Sequence, residues 1–302
     1  SCLYLVDETV GSEQPYGVMR PDNKDDRGNA VSNFNRGYIT INISGGTIGN
    51  NIEYQANPSA TDKQKMPTTT FDSQNHLLYT RGGNVFAGCM GRLYSLGNTL
   101  LPLWPKLGRC KQTTLNITGG TIKSNVYGGA ELGVVEQNTS VNITGGQVGT
   151  QIGTGSGAYY YGSVFGSGKG SNDNITYPSA TPAAEQIPIS EAGTTGGNVT
   201  VHLNKDVAAN AKGGIVRKVF GCNDMNGTPK GDVLVHIHAT QSEGTDNIAT
   251  KATSGYDVDY VFGGGNNADY IPTVSGAKQS TEVIIEGCDL TSIEEVYGGG
   301  FG

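Results

Sequence analysis

The chain has 302 residues, of which 47 are glycine and only 16% are charged, and its 20 basic and 27 acidic side chains give a net charge of -7. Glycine at more than twice its usual share of ~7%, without a three-residue period, excludes collagen and demands frequent turns, and no stretch carries the apolar period of a long amphipathic helix. No Lys/Arg cluster offers a nucleic-acid or anionic-membrane footprint, and no apolar run approaches the ~18 residues that would insert in a bilayer.

Residues 1–37 lack the pattern that follows and are expected to cap it or to continue a preceding, incomplete unit. Their start, SCLYLVDETV, has no charged region followed by a long apolar one, so the chain reads as an excised or mature segment. The acidic DNKDD at 22–26 places Lys24 where a calcium loop needs an oxygen, and reads as solvated loop.

From residue 38 a two-part unit recurs. Its first half is ITINISGGTI at 39–48, TLNITGGTI at 114–122 and SVNITGGQV at 140–148, followed by the looser NVTVHLNKDV at 198–207, DVLVHIHATQ at 232–241 and EVIIEGCDL at 282–290. Its second half reads VFAGC from 85, VYGGA from 126, VFGSG from 164, VFGCN from 219, VFGGG from 261 and VYGGG from 296. Six pairs in constant order define a repeat, and the repeat decides the fold.

Alternation in the first half puts Ile41 and Ile43, Leu115 and Ile117, Val141 and Ile143, Val201 and Leu203, Val235 and Ile237, and Val283 and Ile285 on one face, the expected core. Asn42, Asn116, Asn142, His202, His236 and Ile284 then form an outward column whose members stack about 4.8 Å apart. The shortest advance, from Leu115 to Val141, is too short for a helical crossover. A single unit cannot bury its apolar face, so the units must stack. The glycine pairs beginning at 45, 119 and 145 are expected to turn the chain at a corner after the strand.

Insertions at 49–83, 149–162 and 241–257 separate the half-units, and those at 92–112, 169–197 and 266–280 follow the aromatic-glycine half. Loop variation on a constant core is where recognition belongs. Cys2, Cys89, Cys110, Cys222 and Cys288 are odd in number and widely spaced, so at least one thiol is free. Cys89 and Cys110 flank one insertion and could bridge it, with buried thiols as the favoured alternative.

This order of strand, GG-x-[IV], spacer and V-[FY]-G-G-[GA] resembles the glycine-rich β-helical repeats of bacterial surface and adhesin-like proteins across residues 38–302. The expected fold is all-β, a parallel β-helix or β-solenoid of about six rungs with long loop insertions, broken off within a longer array. Its sense is assigned right-handed from the rule for parallel connections. The resemblance implies an extracellular or cell-surface location, and a glycan or a host or cell-surface protein is the expected partner.

Several residues are candidate sites. Phe86, Tyr127, Phe165, Phe220, Phe262 and Tyr297 form an aromatic column that is either an exposed ladder for sugar rings or a covered structural stack. Four of the six are Phe, without the polar handle of a carbohydrate platform, which favours the covered stack. Trp104, in LLPLWPKL, and the run Tyr159, Tyr160, Tyr161 are candidate glycan contacts. For Trp104 the favoured alternative is that it folds back over a face with Leu101, Leu103 and Leu107.

His202, His236 and His238 have metal-compatible spacing, though stacked polar residues already occupy this column in earlier copies, and no metal or other cofactor is assigned. Asp257 and Asp259 could face one way as a carboxylate pair, but nothing else in the sequence gathers acid and base around them, and no catalytic residue is assigned. The leading functional expectation is a non-catalytic scaffold or adhesin-like module. A β-helical polysaccharide lyase or glycoside hydrolase and a purely structural stalk are the alternatives.

Overall fold

A computed structural model describes residues 37–49, 83–91, 108–152, 159–171, 189–207, 213–240, 256–287 and 290–302. These residues form an all-β structure without α-helix; one 3-10 turn spans Ile189–Glu191. The first half-units build one sheet, in the order β1 (Tyr38–Ile48), β4 (Gln112–Ile122), β7 (Thr139–Val148), β11 (Val199–Leu203), β14 (Val233–Ile237) and β16 (Thr281–Ile285). Every pairing along it is parallel. A seventh strand, β12 (Ile215–Val216), pairs with the distal end of β7, where an excursion divides the fourth copy.

The second half-units build a second parallel sheet, in the order β2 (Val85–Phe86), β5 (Val126–Tyr127), β10 (Val164–Phe165), β13 (Lys218–Phe220), β15 (Val258–Phe262) and β17 (Ile293–Tyr297). A third line of pairing joins β3 (Arg109–Cys110) to β6 (Val134–Val135) and continues through bridges from Val135 to Thr195 and from Thr195 to Pro229. The chain therefore alternates between two sheets, and each copy lies beside the next with matched residues opposite one another.

Ile117 faces Ile143 in this register, and Leu115 faces Val141. Both sheets feed one core: Leu115, Ile117, Val141, Ile143, Val201, Leu203, Val235 and Ile237 from the first meet Val126, Val164, Val219 and Val261 from the second. Each such side chain contributes about 1.5–3 kcal/mol by leaving water. The outward column also pairs as its sequence alternation requires, and Asn116 Nδ2 donates to Asn42 Oδ1 while Asn142 Nδ2 donates to Asn116 Oδ1, each at 2.9 Å. The two end copies are less buried, with Tyr38 at 62% exposure in the first and Ile285 at 39% and Tyr297 at 42% in the last.

The glycine pairs depart from expectation. They do not end the strand: β1 and β4 continue through them with a shift of register, so that Thr47 pairs with Thr121 and Ile48 with Ile122. Gly146 has a φ of 75°, which favours glycine, and a Cβ on Gly145 would collide with the carbonyl oxygen of Thr118 in the preceding copy. One glycine bends the strand and its neighbour permits close approach, which returns Ile122 and Val148 to the core.

The glycine after the aromatic in copies two to five packs against the next copy, where a Cβ on Gly128, Gly166, Gly221 or Gly263 would collide with a carbonyl oxygen, and two of these carbonyls also join the sheets. Thr113 Oγ1 donates to Gly128 O at 2.5 Å, and Thr139 Oγ1 to Gly166 O at 2.8 Å, tying the start of one sheet's strand to the end of the other's. Asparagines at the corners complete the stack. Asn138 Oδ1 accepts from Asn198 N at 2.8 Å and Asn198 Oδ1 from Asp232 N at 2.9 Å, while at another corner Asn84 Oδ1 accepts from Asn125 N at 3.1 Å.

Candidate functional site

The three histidines come together on the outer face of the first sheet. His202 on β11 and His236 on β14 occupy matched positions in adjacent copies. His238 lies just past the end of β14, where its backbone N–H still bonds Leu203 O at 3.0 Å. Opposite it the chain turns at Asn204, whose φ is 61°. The Asn204 side chain fastens this corner, donating to Ala239 O at 2.9 Å and accepting from Gly214 N at 2.7 Å.

The rings of His236 and His238 consequently stack at 3.7 Å between centroids, and His202 Nδ1 lies 3.1 Å from His238 Nε2. One nitrogen from each ring falls within 4.8 Å of the others. Glu286, which follows β16 in the next copy, brings Oε2 to 3.1 Å from His236 Nε2 and 3.6 Å from His238 Nδ1. Burial, aided by Lys205 and the two neighbouring imidazoles, pushes His202 down to about 4. Burial also lowers His238, followed by His236, against the opposing pull of Glu286. His202 is therefore a neutral imidazole at neutral pH, with a lone pair to offer.

The aromatic column is a continuous stack. Ring centroids along Phe86, Tyr127, Phe165, Phe220, Phe262 and Tyr297 are separated by 4.6, 5.0, 4.9, 4.7 and 4.9 Å, with the planes within 11° of parallel. Tyr127, Phe165, Phe220 and Phe262 are buried, so the faces that would receive a sugar are occupied by neighbouring rings. At the end of the stack Phe301 packs edge-on against Phe262. Tyr127 adds a polar line: Asn125 Nδ2 donates to its oxygen at 3.0 Å, and its hydroxyl donates to Asp224 Oδ2 at 2.7 Å. Asn266 Nδ2 donates to Asp224 Oδ1 at 3.0 Å.

Asp257 and Asp259 are not placed as an acid–base couple. Asp259 forms an ion pair with the buried guanidinium of Arg217, whereas Asp257 Oδ2 accepts from Thr240 Oγ1 at 2.9 Å. Both carboxylates are engaged inside the structure, for a reason that alternation alone could not reveal, since the arginine comes from the preceding copy.

The alternative Cys89–Cys110 bridge is also corrected. Cys110 is a free thiol, although it packs with Cys89 and Val135, and Cys89 is disulfide-bonded to a residue other than Cys110. Tyr159–Tyr161 forms β9, paired antiparallel with β8 (Thr150–Ile152), so this insertion opens as a hairpin on the parallel scaffold. Trp104 and the acidic 22–26 stretch lie outside the described residues.

Sequence reasoning missed Glu286 and Asn204 at the histidine patch. Glu286 matches His238 in the next copy, a signal available from aligning the fifth and sixth first half-units, but its reach to two imidazoles needs coordinates. Among the described residues, no helix is long and apolar enough to cross a membrane. No protein-family model, curated protein or solved structure matches this chain.

Proposed function

We propose that this chain forms a right-handed parallel β-solenoid that serves as a non-catalytic, adhesin-like scaffold on the outside of a bacterial cell, presenting its excursions to a glycan or a protein. The observation that carries this reading is the contrast between constant register and variable loops. Matched residues face one another through all six first half-units, yet the intervening segments differ greatly in length. A fixed core with variable edges suits display, because loop changes leave the stacked aliphatics untouched. The disulfide at Cys89 supports an oxidising, extracellular setting.

The test is a glycan-array and surface-protein binding screen of the purified chain, run beside an assay for new reducing ends and unsaturated sugar products. Saturable binding without turnover, weakened by Trp104→Ala or by alanine at Tyr159, Tyr160 and Tyr161, is the expected result. Product release would make the chain a carbohydrate-active enzyme and overturn the proposal. Absence of any saturable ligand would reduce it to a structural stalk.

A further inference from the structure

We propose that His202, His236 and His238, backed by Glu286, form a binding site for a divalent transition-metal ion of the zinc or copper type. The site draws on three successive copies: His202 from the fourth, His236 and His238 from the fifth, and Glu286 from the sixth. One nitrogen of each imidazole already lies within 4.8 Å of the other two. Zinc–nitrogen bonds of about 2.0–2.1 Å in a tetrahedron place ligand nitrogens roughly 3.4 Å apart. The 3.1 Å between His202 Nδ1 and His238 Nε2 is close to that, and ring rotation of His236 supplies the remainder.

Glu286 biases the tautomers through its charge. Its carboxylate lies 3.6 Å from His238 Nδ1, beyond hydrogen-bond length but near enough for its charge to favour a proton there and so free the Nε2 lone pair beside His202. His236 Nε2 lies 3.1 Å from the same carboxylate oxygen but is buried without a hydrogen-bond partner, so a small rotation of His236 or Glu286 has to align the pair before Nε2–H is held and the other nitrogen is left to ligate. Once aligned, the pair takes the carboxylate–imidazole–metal order in which an acceptor orients the ring and strengthens its donor nitrogen. His202 then needs only to carry its proton on Nε2 for three lone pairs to converge.

Three imidazoles with one carboxylate nearby select zinc, copper or nickel over calcium or magnesium, which demand oxygen cages. The histidine side chains are 16% exposed at His236 and 21% at His238, while Glu286 is 57% exposed, so the ligands are sheltered and the entrance is open. The stack also explains how a strand column that holds asparagine in three earlier copies becomes a site in the fourth and fifth: a side chain that merely pairs along the column is replaced by one that can ligate.

Equilibrium dialysis of the purified chain against zinc chloride, copper chloride and calcium chloride tests this. About one equivalent of zinc or copper and no calcium should be retained, and zinc should raise the midpoint of thermal unfolding. His202→Asn restores the residue that the same column holds at Asn142, so it should keep the β-rich circular dichroism while losing about tenfold or more in metal affinity. Glu286→Gln, a positioning change, should weaken affinity by about tenfold without changing stoichiometry. The proposal is overturned if neither metal is retained, or if the H202N/H238N double variant, still folded, binds it as the unaltered chain does.

Discussion

Tyr127 shows how much can depend on one hydroxyl in a stack of otherwise apolar rings. It passes a hydrogen bond from Asn125 to Asp224, a buried carboxyl whose pKa burial raises above the usual carboxylate value while Asn266, Tyr127 and Lys169 oppose the shift. A carboxyl raised in the folded state holds a proton that the unfolded chain releases. Its contribution to stability is therefore full below the ordinary carboxylate value and is lost as pH rises through the folded one. Tyr127→Phe removes a donor that favours the ionised form and moves Asp224 further in the same direction. Urea unfolding should show a loss of about 1–3 kcal/mol near neutral pH and a smaller loss in acid. An equal loss at both values would mean that the ring acts by packing alone. The motif V-[FY]-G announces the column, but nothing in the string distinguishes this tyrosine from Tyr297, because the partner carboxyl arrives from another copy.

At the scale of the strand, pairing was readable because alternation has a period of two and the repeats align without ambiguity; Asn42, Asn116 and Asn142 fall into one ladder as a result. The buried ion pair was not. Arg217 sits between β12 and β13 and reaches Asp259 on β15, across the boundary between copies four and five. A local reading sees one arginine and two nearby aspartates in separate units. Asp259→Ala takes the carboxylate from a buried guanidinium and should cost about 3–5 kcal/mol in denaturant unfolding. A change below about 1 kcal/mol would show that the pair is solvated like a surface salt bridge.

Across the whole molecule, burial is deepest in the middle copies and shallower in the first and the sixth, since a parallel strand is covered only when another lies on each side. The two buried thiols report on smaller clusters beside the main core, Cys110 with Cys89 and Val135 and Cys222 with Val199 and Val233. Burial pushes Cys110 up to about 11 and raises Cys222 strongly, so neither presents thiolate at ordinary pH. Both should resist iodoacetamide at mildly alkaline pH in native buffer and become alkylated together as urea unfolds the chain. Prompt labelling of Cys222 in the native state would show that its cluster with Val199, Val233 and Tyr270 is open.

Periodicity carried the architecture by itself. Residues that repeat at matched positions and alternate in polarity must stack in parallel to hide their aliphatics, and that inference needs no partner from outside the repeat. What only the tertiary structure decided are contacts between side chains of different copies. Gly145 is required by a carbonyl one copy away, Tyr127 is committed to Asp224, and Glu286 arrives from the next copy within 3.1 and 3.6 Å of two imidazoles. The physical reason is the same in each case: backbone register follows from local pattern, whereas the direction and protonation of a side chain depend on neighbours distant in sequence that stacking brings within a few ångströms.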